Sequence, residues 1–271
     1  MPELPEVETI RRGIEPFIVN NRVCRVLLRT PKLRWPVPAD LDRRLGGQVV
    51  QRVERRAKYL LLRTAVGTLL IHLGMSGYLR TLQGDQPPGK HDHADILFDD
   101  GFCLRLNDAR RFGALLWLEG DPQRHPLLAG LGPEPLSAEL SGEVLFKKGR
   151  GRRLAVKSFI MDSRIVVGVG NIYASEALFV AGIDPSRAAG RISRQRYRRL
   201  AAAIREVLQR AIAAGGTTLR DFSDQQGRPG YFAQQLQVYG RAGEACTVCG
   251  QPIVKIILGQ RASYFCSRCQ N

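Results

Sequence analysis

The chain lacks any apolar run approaching the roughly 20 residues a membrane-spanning helix needs, which excludes an integral helical membrane protein. Nor is a signal peptide expected. The opening MPELPEVE carries acid where such a segment carries base, and no long apolar core follows. Secretion is therefore not expected, and the 6 cysteines are expected reduced in the cytoplasm. Internal repeats and low-complexity tracts are absent. Acid is scarce: 25 Asp and Glu stand against 41 Lys and Arg, a formal net charge of +16. Such an imbalance calls for a polyanionic partner, either nucleic acid or an anionic membrane surface. The hydrophobic fraction, 44%, is enough for packed cores and argues against wholesale disorder. The 271 residues favour two domains over one, at roughly 100–200 residues per domain.

Organisation changes along the chain. Residues 1–15 predict a helix: Pro5 suits a first turn, Glu3, Glu6 and Glu8 favour the positive end of the dipole, and Val7, Ile10 and Ile14 form an apolar stripe. Short segments rich in Val, Ile and Leu follow at 22–30, 48–55, 59–63, 68–73, 94–98, 102–106 and 114–118, the pattern of an all-β sandwich or barrel. Residues 83–89 read as a loop, and Pro and Gly at 131–141 suggest a linker. Helical pattern dominates afterwards, at 171–181 and at 194–214, the latter with Ser193 as N-cap and Gly215-Gly216 as the stop. A polar stretch, 217–230, separates the second helix from the C-terminal cysteines.

Cys246, Cys249, Cys266 and Cys269 form C-x2-C-x16-C-x2-C, the spacing of a four-thiolate zinc site. Two disulfides would need an oxidising compartment, and a redox C-x-x-C would not explain a second copy at ribbon spacing. One structural Zn2+ is expected, supplying folding energy to a ribbon too small to bury much surface. The intervening hairpin alternates at Val254, Ile256 and Leu258, with Gly259-Gln260-Arg261 at the expected turn. Arg261 there either reaches an anion or is simply solvated. Cys24 and Cys103 lie in apolar strand-like stretches and are expected to be small buried hydrophobes.

Several residues offer chemistry. Removal of Met1 would leave Pro2 with a free secondary amine. An α-amino group has an ordinary pKa of roughly 8, against about 10.4 for lysine, so more of it is neutral and able to attack an electrophilic carbon. Glu3 beside it suits a general acid or base; an ordinary acidic helix start is the plainer alternative. Lys58, in RRAKYLLL, suits a phosphate contact, a proton transfer or a solvated strand end. Gly168-Val169-Gly170-Asn171 opens a helix that favours an anion, although Asn171 fits an N-cap equally well. Basic runs at 147–157 and 191–199 have no balancing acid. Met75 and the run DARRFG at 108–113 fall in loops after strands, where apolar and arginine side chains either wedge into a base stack or pack into a core.

Taken together, PELPEVE at 2–8, AKYLL at 57–61, LGMSG at 73–77, KHDH at 90–93, DARRFG at 108–113, VVGVGNIYASE at 166–176 and GQR at 259–261 resemble the bacterial formamidopyrimidine-DNA glycosylases over essentially the whole chain. The resemblance implies an α+β multidomain protein: an N-terminal β-sandwich with an N-terminal helix (1–132), a helical helix-two-turn-helix DNA-binding domain (133–236) and a C-terminal zinc ribbon (237–271). It implies a bifunctional base-excision enzyme that removes 8-oxoguanine and formamidopyrimidines from double-stranded DNA, acting as a monomer without membrane association. In that picture Pro2 attacks C1′ and forms an imine, and Glu3 is the general acid. Lys58 serves β-elimination, and Arg261 serves δ-elimination and phosphate binding. His91, Arg110, Asn171 and Arg152 (with Arg153 adjacent) match DNA-contacting positions. Met75, Arg110 and Phe112 match the residues that fill the hole left by an extruded base, and 217–231 matches a loop that covers it.

Two alternatives share much of this sequence. Endonuclease VIII, specific for oxidised pyrimidines, usually opens like PEGPEI, whereas Leu4 and Val7 stand here. A non-enzymatic zinc-containing DNA-binding protein would keep the charge, ribbon and basic helix, and lack only the N-terminal chemistry.

Overall fold

The computed structural model describes residues 2–84, 86–217 and 235–271. The chain divides into two compact units, one of residues 1–129 and 215–230, the other of 130–214 and 231–271.

The first unit opens with helix α1 (Leu4–Ile18), which starts and ends three residues later than the sequence pattern predicts. Strands β1 (Val23–Leu28), β6 (Asp92–Phe98), β7 (Phe102–Asn107) and β5 (Tyr78–Gln83) form one antiparallel sheet in the order β1-β6-β7-β5. Strands β2 (Arg52–Arg56), β3 (Tyr59–Arg63), β4 (Thr68–His72) and β8 (Ala114–Leu118) form a second, in the order β2-β3-β4-β8. Alternation sorts each strand: Ile96, Leu104 and Leu106 from one sheet and Leu60, Leu62, Leu69 and Ile71 from the other fill a shared core. Helix α1 adds Val7, Ile10, Ile14 and Ile18, spaced by three and four residues so that they fall on one face. Short helices α2 (Leu41–Leu45) and α3 (Pro126–Ala129) complete the unit.

Three expectations are corrected here. Residues 48–51 are not strand; Val49 makes only an isolated bridge to Arg22. Strand β5 was not anticipated, because its sequence YLRTLQ keeps only one residue fully buried and shows no apolar alternation. Cys24 is exposed rather than buried, since the register of edge strand β1 slips between Val23 and Arg25; Cys103 is buried as expected.

In the second unit, α4 (Gly142–Gly149), α5 (Val156–Ile160), α6 (Asn171–Val180) and α7 (Arg194–Ala213) pack around Phe159, Tyr173, Leu178, Leu200 and Ile204. Ser193 caps α7, accepting a hydrogen bond from the Arg196 amide, as expected. Helices α4 and α7 approach so closely that a Cβ at Gly142 would stand 2.4 Å from the Arg198 Cα. Strands β9 (Val254–Leu258) and β10 (Arg261–Phe265) form the C-terminal hairpin. Its turn is Gly259-Gln260, with φ of +53° and +63°; Arg261 lies outside it and opens β10, paired with Leu258.

Candidate active site and nucleic-acid interface

In the first unit, Pro2 and Glu3 are buried at the N-terminal end of α1, Glu3 being 2% exposed. The Glu6 carboxylate holds this end in place. One oxygen accepts the Glu3 backbone N–H at 2.8 Å; the other accepts the Thr217 N–H at 2.9 Å and its hydroxyl at 3.0 Å. Glu6 thus fixes residue 3 and the described residue that immediately precedes 218–234. Of the expected covering segment 217–231, all but Thr217 lies outside the described residues.

Lys58 occupies the two-residue turn between β2 and β3, after Ala57, whose φ of +54° lies in the left-handed region. The Arg55 guanidinium donates to the Ala57 carbonyl at 2.9 Å. Nearby, burial lowers the His72 pKa to about 4, with the positive charges of Lys58 and Arg34 adding to the shift, so the ring is neutral. The His72 Nδ1 accepts the Gly74 N–H at 3.1 Å, leaving the ring in an acceptor tautomer at that atom.

Met75 and Phe112 are not core residues: they are 40% and 44% exposed. The Arg110 guanidinium lies 4.8 Å from the Phe112 ring centroid. Their two loops are joined at the base by Asp108, which is fully buried and accepts from the Ser76 hydroxyl at 2.8 Å and the Gly113 N–H at 2.7 Å. Gly74, at φ +63°, lets the loops touch; a Cβ there would meet the Phe112 carbonyl carbon at 2.4 Å. The His91 carbonyl accepts the Asp108 N–H at 3.0 Å, so His91 is set beside the same anchor.

In the second unit, Gly170 is the N-cap of α6 and Asn171 is its first helical residue, which corrects the N-cap alternative. The Asn171 amide is oriented by a buried lysine. Lys157 Nζ donates to Asn171 Oδ1 at 2.7 Å, to Ser263 Oγ at 2.8 Å and to the Ala262 carbonyl at 3.0 Å. Asn171 Nδ2 donates to the same carbonyl at 3.0 Å. Ala262 follows Arg261, so one lysine ties the start of α6 to the strand that carries the exposed Arg261. Arg152 is exposed, donates to the Lys148 carbonyl at 2.8 Å and lies 5.8 Å from the Phe159 ring centroid. Arg153 is exposed beside it.

The thiolates fit one metal. All four cysteine sulfurs lie within 4.8 Å of one another, with Cys249 and Cys266 at 3.4 Å and Cys246 and Cys269 at 3.9 Å. Tetrahedral ligation at about 2.3 Å requires sulfurs about 3.8 Å apart, so the cage matches Zn2+.

Three known domain families cover this chain in order. The formamidopyrimidine-DNA glycosylase N-terminal domain matches residues 1–115, the H2TH domain of the same glycosylases matches 131–223, and the zinc finger found in FPG and IleRS matches 243–271. The formamidopyrimidine-DNA glycosylase of Syntrophotalea carbinolica is 63% identical over 270 residues, covering 100% of each chain. The chain belongs to the formamidopyrimidine-DNA glycosylase family. The MutM (Fpg) protein of Thermus thermophilus superposes with a TM-score of 0.88 at 37% identity, over 99% of this chain and 98% of that one. The Lactococcus lactis Fpg in complex with DNA containing an abasic site gives 0.91 at 34% identity, over 99% of each chain. Formamidopyrimidine-DNA glycosylases are base-excision repair enzymes with abasic-site lyase activity.

Within the glycosylase frame, reading the sequence alone missed four polar anchors: Glu6, Asp108, Lys157 and Glu176. Glu6 was read only as a first-turn acid and Lys157 only as part of a basic run. Glu176 had a usable signal, since it is the one acid in the otherwise uncharged helix NIYASEALFV. Its buried carboxylate accepts the N–H groups of Gln237, Val238 and Tyr239 at 2.8, 3.0 and 2.8 Å, and burial pushes its pKa up despite those bonds.

Proposed function

We propose that this chain removes oxidised purines, 8-oxoguanine and formamidopyrimidines, from duplex DNA and then cleaves the strand, with Pro2 as the nucleophile. The observation that carries this reading is the burial of Pro2 and Glu3 at the positive end of α1, braced by Glu6. With Met1 removed, burial and the helix dipole both favour the neutral amine over the ammonium form. The Pro2 lone pair bonds to C1′, the glycosidic electron pair leaves with the base, and Glu3 supplies the proton that the departure requires. The Pro2 nitrogen, having given up its proton, then expels O4′, which takes up a proton as the sugar ring opens, and the resulting iminium withdraws electrons from C2′. Lys58 removes the C2′ proton and the 3′ phosphate leaves; Arg261 holds phosphate for the second elimination.

C1′ is unreachable in a stacked duplex, so the nucleotide must turn out. The exposed Met75, Arg110 and Phe112 fill the gap that remains. His91, Asn171 and Arg152 hold the backbone, fixing position without reading sequence. We assign three modules, 1–132, 133–236 and 237–271, and a monomer working in the cytoplasm on double-stranded DNA. Among the described residues no helix is long and apolar enough to cross a membrane.

Single-turnover cleavage of duplexes bearing 8-oxoguanine opposite cytosine or thymine glycol tests the lesion class. Faster cleavage of 8-oxoguanine is expected. A marked preference for thymine glycol would place the chain with the endonuclease VIII-like enzymes instead.

A further inference from the structure

The groups assigned to imine formation and to elimination sit on different elements of the first unit: Pro2 and Glu3 at the start of α1, Lys58 in the β2–β3 turn. One side chain touches both elements. Arg55, on β2, donates through Nε to Glu8 Oε2 at 3.0 Å and through Nη1 to the Ala57 carbonyl at 2.9 Å. Glu8 lies on α1 five residues after Glu3, a rise of about 7.5 Å along the helix. Ala57 immediately precedes Lys58 and holds a left-handed φ of +54° that a residue with a Cβ adopts reluctantly. Both ends of the link are shielded, the Arg55 and Glu8 side chains being 10% and 12% exposed.

We infer that Arg55 is a positioning residue for the two-step reaction, a rigid strut that keeps the amine-bearing end of α1 in register with the turn that presents Lys58. The inference rests on the roles proposed above for Pro2 and Lys58. A guanidinium suits this task where an ammonium does not, because its planar fork directs two donors along fixed, separate lines. Glu8 stays charged to receive it. Burial alone would raise the Glu8 pKa, but hydrogen bonds from Arg11 and Arg12 and the charges of Arg11 and Arg55 outweigh it and hold the carboxyl below its ordinary range. Arg11 makes a second crossing from α1 to β2, from its Nη1 to the Val53 carbonyl at 3.3 Å. That bond braces the helix against the strand without touching the turn. The Arg55 link instead ends next to Lys58.

A strut between the two groups affects the second step more than the first. Pro2 bonds to C1′ from the helix alone, whereas proton removal from C2′ requires Lys58 in place relative to an imine already anchored at Pro2. Losing the strut should therefore let the imine accumulate.

The test follows both steps on duplex DNA containing a preformed abasic site, scoring borohydride-trapped adduct and cleaved strand in the same single-turnover reaction. Arg55→Ala is expected to raise the ratio of trapped adduct to cleaved product about tenfold, with KM changed less than about twofold. Arg55→Lys preserves charge and bulk, guards against a folding failure, and is expected to raise the ratio about threefold. Arg12→Ala removes a Glu8 partner that is 60% exposed and touches neither Lys58 nor its turn, and is expected to leave the ratio unchanged. A wild-type ratio in both Arg55 variants would overturn the strut. Absence of trapped adduct in the wild-type protein would instead overturn the catalytic reading on which it stands.

Discussion

Lys157 Nζ meets Asn171 Oδ1 at 2.7 Å, and the same ammonium reaches Ser263 and the Ala262 carbonyl on the strand that begins with Arg261. Lys157 is 1% exposed, and these three oxygens accept hydrogen bonds from its buried Nζ. Lys157→Met removes the donor to Asn171 Oδ1 and Ser263 Oγ and leaves the Ala262 carbonyl with Asn171 Nδ2 alone, at about 1–3 kcal/mol for each acceptor left unpaired that water does not reach. It also frees the Asn171 amide to turn. Affinity for an abasic-site duplex is expected to fall about tenfold or more, with a lower melting temperature. Fluorescence anisotropy and thermal unfolding measure both; unchanged affinity would show that Asn171 needs no such orientation to hold phosphate.

The neutral His72 predicts a specific pH dependence. Its pKa is about 4 in the folded protein against an ordinary 6.5. Between those values the unfolded chain binds the extra proton and the folded one does not, so stability falls as pH drops through that window. Over the full window the loss is on the order of 3 kcal/mol. His72→Gln keeps an acceptor for the Gly74 N–H and removes the titration. Urea unfolding of both proteins from about pH 4 to pH 7 should show a shallower decline for the variant. Parallel curves would contradict the neutral assignment.

Zinc removal is expected to unfold the ribbon while leaving the first unit folded. The ribbon's apolar core is a small cluster in which Val238 and Ile253 pack against Phe179 of α6, too little to hold it without metal. Chelation should therefore weaken duplex binding strongly, with little loss of the sheet signal in circular dichroism. Arg261→Ala, with metal in place, should keep the fold, slow strand cleavage and reduce the slope of log affinity against log salt by about 0.9. An unaltered slope would remove Arg261 from the phosphate contacts.

Much of this was legible before any coordinates. The 3.6-residue stripe of α1, the cap at Ser193 and the cysteine spacing each encode local geometry, and each was found where expected. Short helices such as α2 and α5, five residues each, are too brief to show a period. Cys24 was misread because a register slip is a property of the pair of strands and not of one segment. The polar anchors were hidden for a related reason. Glu6 and Thr217 are 211 residues apart in sequence, Lys157 and Ser263 106 apart, and no spacing rule reports such contacts. Motifs named the candidate reacting groups; long-range hydrogen bonds, visible only in the fold, show what holds the residues around them.

The most direct measurement compares the protein bearing a free Pro2 amine with a form carrying a residual N-terminal extension, each incubated with an 8-oxoguanine duplex and sodium borohydride. The free-amine protein should form a covalent protein–DNA adduct and cleave the strand, and the extended form should do neither. Equal trapping and equal turnover by the extended form would contradict Pro2 as the nucleophile.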